Sequence, residues 1–180
     1  MNYILFSDKL ENLDDILTLK NSLQNVKTFH CGNTSLESPM TEADLRKVMP
    51  TIGPNLNKFC LLGVPLICYD VILEFIELRK STLKELNFIN CNISDDFLES
   101  ISLIKKLNLT SFSLRECQDS TNVGFQKLCK SQKNIKELDI SFWEGLSDES
   151  LMVISDNLPN IRLLRIENSD EEITNVSLHF

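Results

Sequence analysis

The chain has 180 residues, 42% of them apolar, which suits one domain with a real core. Its 26 acidic residues outnumber 18 basic ones, giving a formal charge of −8 and an isoelectric point near 4.8. That balance argues against nucleic acid as the main partner, because phosphate binding needs Lys and Arg gathered on one face. It also disfavours an anionic membrane surface, and no apolar run approaches the length that spans a bilayer.

Residues 3–6 read as a short strand, and Ser7-Asp8 as a helix start followed by Leu10, Leu13, Ile16 and Leu17 at helical spacing. Residues 1–22 are therefore expected to be an N-terminal cap or a degenerate first unit that covers an open sheet edge. Leu23-x-x-Val26-x-Thr28-x-x-Cys31 then opens a pattern, with Thr28 its weakest position. A polar stretch over 32–40 lengthens this unit. Thr41-Glu42-Ala43-Asp44 starts a capped helix with Leu45 and Val48 inward, and Pro50 and Pro54 end it. The next strand is Leu56-x-x-Phe59-x-Leu61-x-x-Val64, closed by Pro65. The strongest helix follows over 69–79, with Val71, Ile72, Phe75, Ile76 and Leu78 apolar on a wide face.

From Leu83 the spacing becomes regular. Leu83-x-x-Leu86-x-Phe88-x-x-Cys91 is followed by Leu109-x-x-Phe112-x-Leu114-x-x-Cys117. Ile135-x-x-Leu138-x-Ile140-x-x-Trp143 and Ile161-x-x-Leu164-x-Ile166-x-x-Ser169 complete the set, each unit starting 26 residues after the last. Residues at +3 and +5 share one face of a strand, since strand side chains alternate. Helical spacing returns after each: Leu98 and Ile101, Phe125 and Leu128, Leu151 and Ile154. One strand and one helix of this size cannot bury an apolar face alone, so the units must stack. Ile173-Thr174-Asn175 begins another unit, and residues 176–180 are either a terminal strand or cap or the start of a longer array.

This pattern resembles the leucine-rich repeat, L-x-x-L-x-L-x-x-N/C, in its cysteine-containing form of about 26 residues. Ser120-Thr121-Asn122-Val123-Gly124-Phe125 and Leu146-Ser147-Asp148-Glu149-Ser150-Leu151 resemble the family's I-T-D-x-G-L, and Ile93-Ser94-Asp95 does so one residue early. The resemblance covers residues 23–173. It implies an α/β solenoid, a right-handed horseshoe arc with a parallel sheet on the concave face and helices on the convex one. The units are expected to start near 23, 56, 83, 109, 135 and 161 within a repeat region spanning 23–180.

Positions +2, +4 and +6 of each strand are then expected on the concave face, with +7 at the strand's end. The +6 lane holds Phe29, Leu62, Ile89 and Arg115, a row of aromatic, aliphatic and Arg side chains of the kind found in protein-binding patches. Asp139 and Arg165 follow in the +4 lane. Phe142, at +7, and Trp143, in a slot where the family has Cys or Asn, make a second candidate. An indole is too large for that slot, so either the loop before Gly145 bulges to house it or the ring leans outward.

Other chemistry finds little support in the residues. Six cysteines include no C-x-x-C, and His30 and His179 stand at opposite ends, so neither a metal site nor a disulfide framework is expected. Cys31, Cys91 and Cys117 occupy the repeat's own slot as reduced, buried thiols, which implies a cytoplasmic or nuclear compartment. Sequons at Asn33, Asn92, Asn108 and Asn175 read as chance in the absence of a visible signal peptide. No Ser/His/Asp or Cys/His set can be assembled, and five glycines form no phosphate loop, so no catalytic residue and no cofactor is expected. Asp95 reads as a carboxylate at a helix start.

The cysteine-containing repeat is the type found in F-box/leucine-rich-repeat proteins, where the array selects a substrate and an F-box links it to a cullin ubiquitin ligase. The resemblance thus implies a non-catalytic module that binds a protein partner, with a cullin complex as one candidate, although no F-box is visible in the 22 residues before the first repeat. Rival readings are a free-standing adaptor like those that help assemble mitochondrial complexes, and a small-GTPase regulator. The acidic, Arg-free N-terminus counts against the first, and the cysteine-containing units against the second.

Overall fold

A computed structural model describes residues 3–5 (backbone alone), 23–32, 41–63 and 69–167. Expectations for the helix over 10–17, the polar excess over 33–40, Val64, Pro65, Ser169, His179 and residues 173–180 lie outside these. The structure is an α/β fold in which strands of one parallel sheet alternate with helices. The strands are β1 (Tyr3–Leu5), β2 (Thr28–Gly32), β3 (Lys58–Leu62), β4 (Glu85–Ile89), β5 (Ser111–Arg115), β6 (Glu137–Asp139) and β7 (Leu163–Arg165). Spatial order equals chain order, so each β–α unit lies beside its predecessor. The first residues are thus part of the sheet: β1 pairs with β2 through Ile4 and Phe29.

The sheet sorts its side chains by register. Phe29, Phe59, Leu86, Phe112, Leu138 and Leu164 stand opposite one another, as do Cys31, Leu61, Phe88 and Leu114. All of these are buried except Leu164, which is partly covered at the last strand. One carbonyl per unit pins that register by accepting two N–H groups from the next. Lys27 O takes those of Asn57 and Lys58 at 2.8 and 2.9 Å, and Lys84 O those of Thr110 and Ser111 at 2.8 and 3.1 Å. Thr110 O and Lys136 O repeat the arrangement.

This register corrects the sequence reading at the first unit. The unit starts at Val26, not Leu23, because Phe29 pairs with Phe59 and Cys31 with Leu61. Leu23 and Val26 are both buried, at 0% and 2%, so the hydrophobic template fits at either. Aromatic packing separates the two alignments: Phe29 stacks on Phe59 with ring centroids 5.8 Å apart, and Phe75 leans on Phe59 at 4.9 Å. A shift by an odd number of residues exchanges the two faces of a strand. Thr28 therefore moves to the open face, while Phe29, expected there, lies in the core. Cys31 follows it into the core lane instead of the cysteine slot.

Helices α1 (Glu42–Val48), α2 (Tyr69–Arg79), α3 (Asp95–Ser102), α4 (Asn122–Ser131) and α5 (Asp148–Asn157) cover the other side of the core. Thr41 and Asp44 form the expected capping box of α1, and a 3₁₀ turn over Met49–Thr51 with Pro50 ends it. Ser94 caps α3 by accepting the Phe97 N–H at 3.2 Å. Asp95 does more than the sequence suggests, because it caps the neighbouring helix. Its Oδ1 accepts the Thr121 and Gly124 N–H groups at 2.8 and 3.1 Å, and its Oδ2 accepts the Thr121 hydroxyl at 2.6 Å. Gly124 is required by that approach: a Cβ there would fall 2.6 Å from the Asp95 Cα.

Candidate functional site

With +3 and +5 committed to the core, the other sheet face carries three lanes. One reads Thr28, Lys58, Glu85, Ser111, Glu137, Leu163, and the next His30, Cys60, Asn87, Ser113, Asp139, Arg165. The third reads Gly32, Leu62, Ile89, Arg115. Gly32 takes the place expected for Phe29, and nothing larger fits, since a Cβ would meet the Leu62 carbonyl oxygen at 1.9 Å. Of the expected stripe, Leu62 and Ile89 remain as adjoining, partly exposed aliphatic side chains, with Arg115 beyond them.

Beside that stripe the small side chains of Ser111 and Ser113 leave a shallow depression of about 270 Å³, which Ile89, Arg115, Asp139 and Arg165 also line. The fold thus brings four of the eight expected residues to one place, with Leu62 next to them. Two serines in alternate positions of one strand were the visible sign of this hollow. Two ion pairs flank it: Lys58 Nζ lies 3.0 Å from Glu85, and Arg115 Nε 3.2 Å from Glu116. Such half-exposed pairs contribute little to stability, so their value is in what they present. Burial pushes the Cys60 thiol up to about 11, outweighing the opposite pull of Lys58, so it stays protonated. Burial and the Lys58 charge both lower the His30 pKa below its ordinary value, leaving that ring neutral at pH 7.

At the sheet's end the chain turns sharply in each unit whose +7 residue is described. Gly63, Asn90, Glu116 and Phe142, all at +7, have φ of 62°, 51°, 56° and 56°. The reversal points the following residue inward, which is why the +8 slot is buried: Cys91 is 3%, Cys117 0% and Trp143 2% exposed. The Cys91 thiol donates to Ile89 O at 3.3 Å and that of Cys117 to Arg115 O at 3.5 Å. Trp143, offered as a partner contact by the sequence, is instead an interior residue. Its Nε1 donates to Ser120 Oγ at 2.8 Å, and its ring packs 4.9 Å from Phe125. Gly145 makes the room, since a Cβ there would stand 2.3 Å from the indole Cζ2. Phe142 on the same turn is 40% exposed.

No family model matches the chain. A 58-residue stretch, 32% of it, is 33% identical to the F-box protein SKIP1 of Arabidopsis thaliana and spans 19% of that protein. In the crystal structure of the yeast Rad7–Elc1 complex, one chain superposes with a TM-score of 0.60 at 17% identity, over 98% of this chain and 52% of that one. The C-terminal domain of Caenorhabditis elegans tropomodulin gives 0.59 at 14% identity, over 83% of this chain and 92% of that domain. The chain therefore spans under a fifth of the plant protein and about half of the yeast chain. The structural likenesses define the fold, and the short plant match adds a weak relation to F-box proteins.

Proposed function

We propose that the chain is a non-catalytic protein-recognition module, a cysteine-containing leucine-rich-repeat solenoid whose open sheet face holds one protein partner. What carries this reading is the contrast between lanes. The core lanes repeat one chemistry down the stack, from Phe59 through Leu86 and Phe112 to Leu138, because packing requires it. The open lanes do not repeat: Lys58, Glu85, Ser111, Glu137 and Leu163 share no property that packing could demand. A rigid, hydrogen-bonded surface with unrepeated side chains and a hollow beside an aliphatic stripe is suited to one specific partner.

The finer reading is partner selection for a cullin ubiquitin ligase, as in F-box/leucine-rich-repeat proteins, in the cytoplasm or nucleus. The repeat pattern, the SKIP1 match and the buried cysteines Cys91 and Cys117 in the repeat's own slot support it. The test is affinity capture from cell extract with the tagged chain and with Ile89→Asp and Arg115→Glu. Both variants are expected to lose the wild-type partner while their melting temperatures stay within a degree or two. Capture undiminished in both variants overturns the recognition face. A partner captured without any cullin or linker retires the ligase reading and leaves the module.

A further inference from the structure

Phe142 combines two features that packing does not explain. Its backbone is left-handed, a conformation that a bulky side chain adopts only under strain, and its ring is 40% exposed. Gly63 and Asn90 show which residue types relieve that strain at the equivalent position. The turn itself is held from within: Trp143 is anchored on Ser120, Phe142 N–H donates to Glu167 O at 2.7 Å, and Glu116 N–H to Ser141 O at 2.9 Å. The ring is thus displayed on a fixed support. Among the described residues it stacks on no other aromatic ring.

Its surroundings are acidic. The backbone of Glu116 bonds to Ser141 and that of Glu167 to Phe142 itself, and Glu144 follows two residues on. Arg115, which precedes Glu116, is held by it at 3.2 Å. Glu144 accepts the Asp119 N–H at 3.0 Å, and Asp119 accepts the Asn92 amide at 2.6 Å, so both of these bonds come from neutral donors. An exposed aromatic face near more carboxylates than cations attracts a cation from both sources at once, the ring quadrupole and the charges. We infer that Phe142 receives a basic side chain of the partner, an Arg or Lys whose charged head lies on the exposed ring within the reach of Glu144 and Glu167. This rests on reading the open sheet face as the partner-binding surface.

The experiment is an amide-resolved NMR titration of the full chain with N-acetyl-argininamide, its neutral citrulline analogue and N-acetyl-leucinamide as probes. The arginine probe is expected to shift the amides of Glu116, Phe142 and Glu144 at least three-fold more than either neutral probe, with the difference fading at high salt. Phe142→Leu keeps an apolar side chain but removes the quadrupole, and is expected to lose that preference with Trp143 emission unchanged. Phe142→Asn is expected to lose it too, while melting no lower than the wild type, because Asn tolerates the left-handed turn. A merely structural Phe142 would lower the melting point instead. Equal shifts by all three probes, or a full arginine preference in Phe142→Leu, overturn the inference. If that happens while Arg115→Glu still abolishes partner capture, the recognition face stands and only the partner chemistry is wrong.

Discussion

The units from Leu83 onward and those before it are built on the same sheet but locked by different means. In the later part the period is 26 residues, and equivalent side chains meet directly. Asp95 in the first turn of α3 caps α4, and Lys127 of α4 returns to Glu99 of α3 at 2.7 Å. In the earlier part the units run 30 residues from Val26 and 27 from Leu56. There α1 is short, and a groove of about 440 Å³ separates it from α2, lined by Met49, Val71, Phe75 and Leu78. The joint is made by Arg79, whose guanidinium donates to the carbonyls of Ile52 and Gly53 and lies 5.1 Å from the centre of the Phe75 ring. Equal unit lengths let side chains 26 residues apart bond directly, as Asn134 does to Asn108 at 2.9 Å; in the unequal part a long side chain spans the gap. That difference is also why the sequence reads well in one part and slips in the other.

The sharpest way to break this comparison is to test the register where it slipped. Phe29 is fully buried and stacked on Phe59, so Phe29→Ala removes ring area and leaves a cavity, expected to cost about 3–5 kcal/mol. Thr28→Ala, on the open face, is expected to change stability by less than about 0.5 kcal/mol. Urea unfolding of the two variants decides the matter. A costly Thr28→Ala beside a silent Phe29→Ala would restore the unit to Leu23 and return Phe29 to the recognition stripe.

Much of the architecture was legible because packing writes it into the spacing. Leu86, Phe112 and Leu138 recur on one lane because the next strand must bury against the same wall. What a hydrophobic template cannot do is choose between Leu23 and Val26 when both are buried, one at a turn and one at the unit's start. The size of Phe29 against Thr28 was the available signal, and it was outweighed by a cysteine that happened to sit in the template's last position. The site was legible in part for a related reason. Leu62, Ile89, Arg115, Asp139 and Arg165 follow from alternation alone. Trp143 depends instead on a backbone reversal at Phe142 and on the missing Cβ of Gly145, and neither has a hydrophobic period. Asn90 and Gly63 mark that reversal in two units; Glu116 and Phe142 conceal it in the others.

The lock in the later part can be weakened on its own. Asp95→Ala removes the acceptor for Thr121 and Gly124 and is expected to cost about 1–2 kcal/mol, within the range for a lost helix cap. Burial alone would raise the Asp95 pKa, but the bonds from Thr121 and Gly124 and the charge of Lys127 outweigh it and hold the group below the usual carboxylate range. With the folded value below the unfolded one, the stabilisation is complete above about pH 4 and is lost as pH falls through the depressed value. Asp95→Ala should remove that share of the acid loss. A variant whose acid limb matches the wild type would mean that the cap holds no charge-dependent share of stability.

The smallest expected effect lies in the earlier part and has the same sign from the opposite chemistry. His30 sits between Leu5 and Cys60 in the sheet, where burial and the nearby Lys58 charge lower its pKa. A base whose folded pKa is depressed takes up its proton more readily when unfolded, so the unfolded chain binds the extra proton between the folded value and about 6.5. Stability therefore rises with pH across that window and falls as pH drops below about 6.5. His30→Gln is expected to flatten the wild-type slope between pH 5 and about 7 and leave the carboxylate-driven limb of Asp95 intact. The two limbs then report the two parts separately: a slope that persists in His30→Gln would show that His30 carries no proton-linked share of stability in the earlier strands.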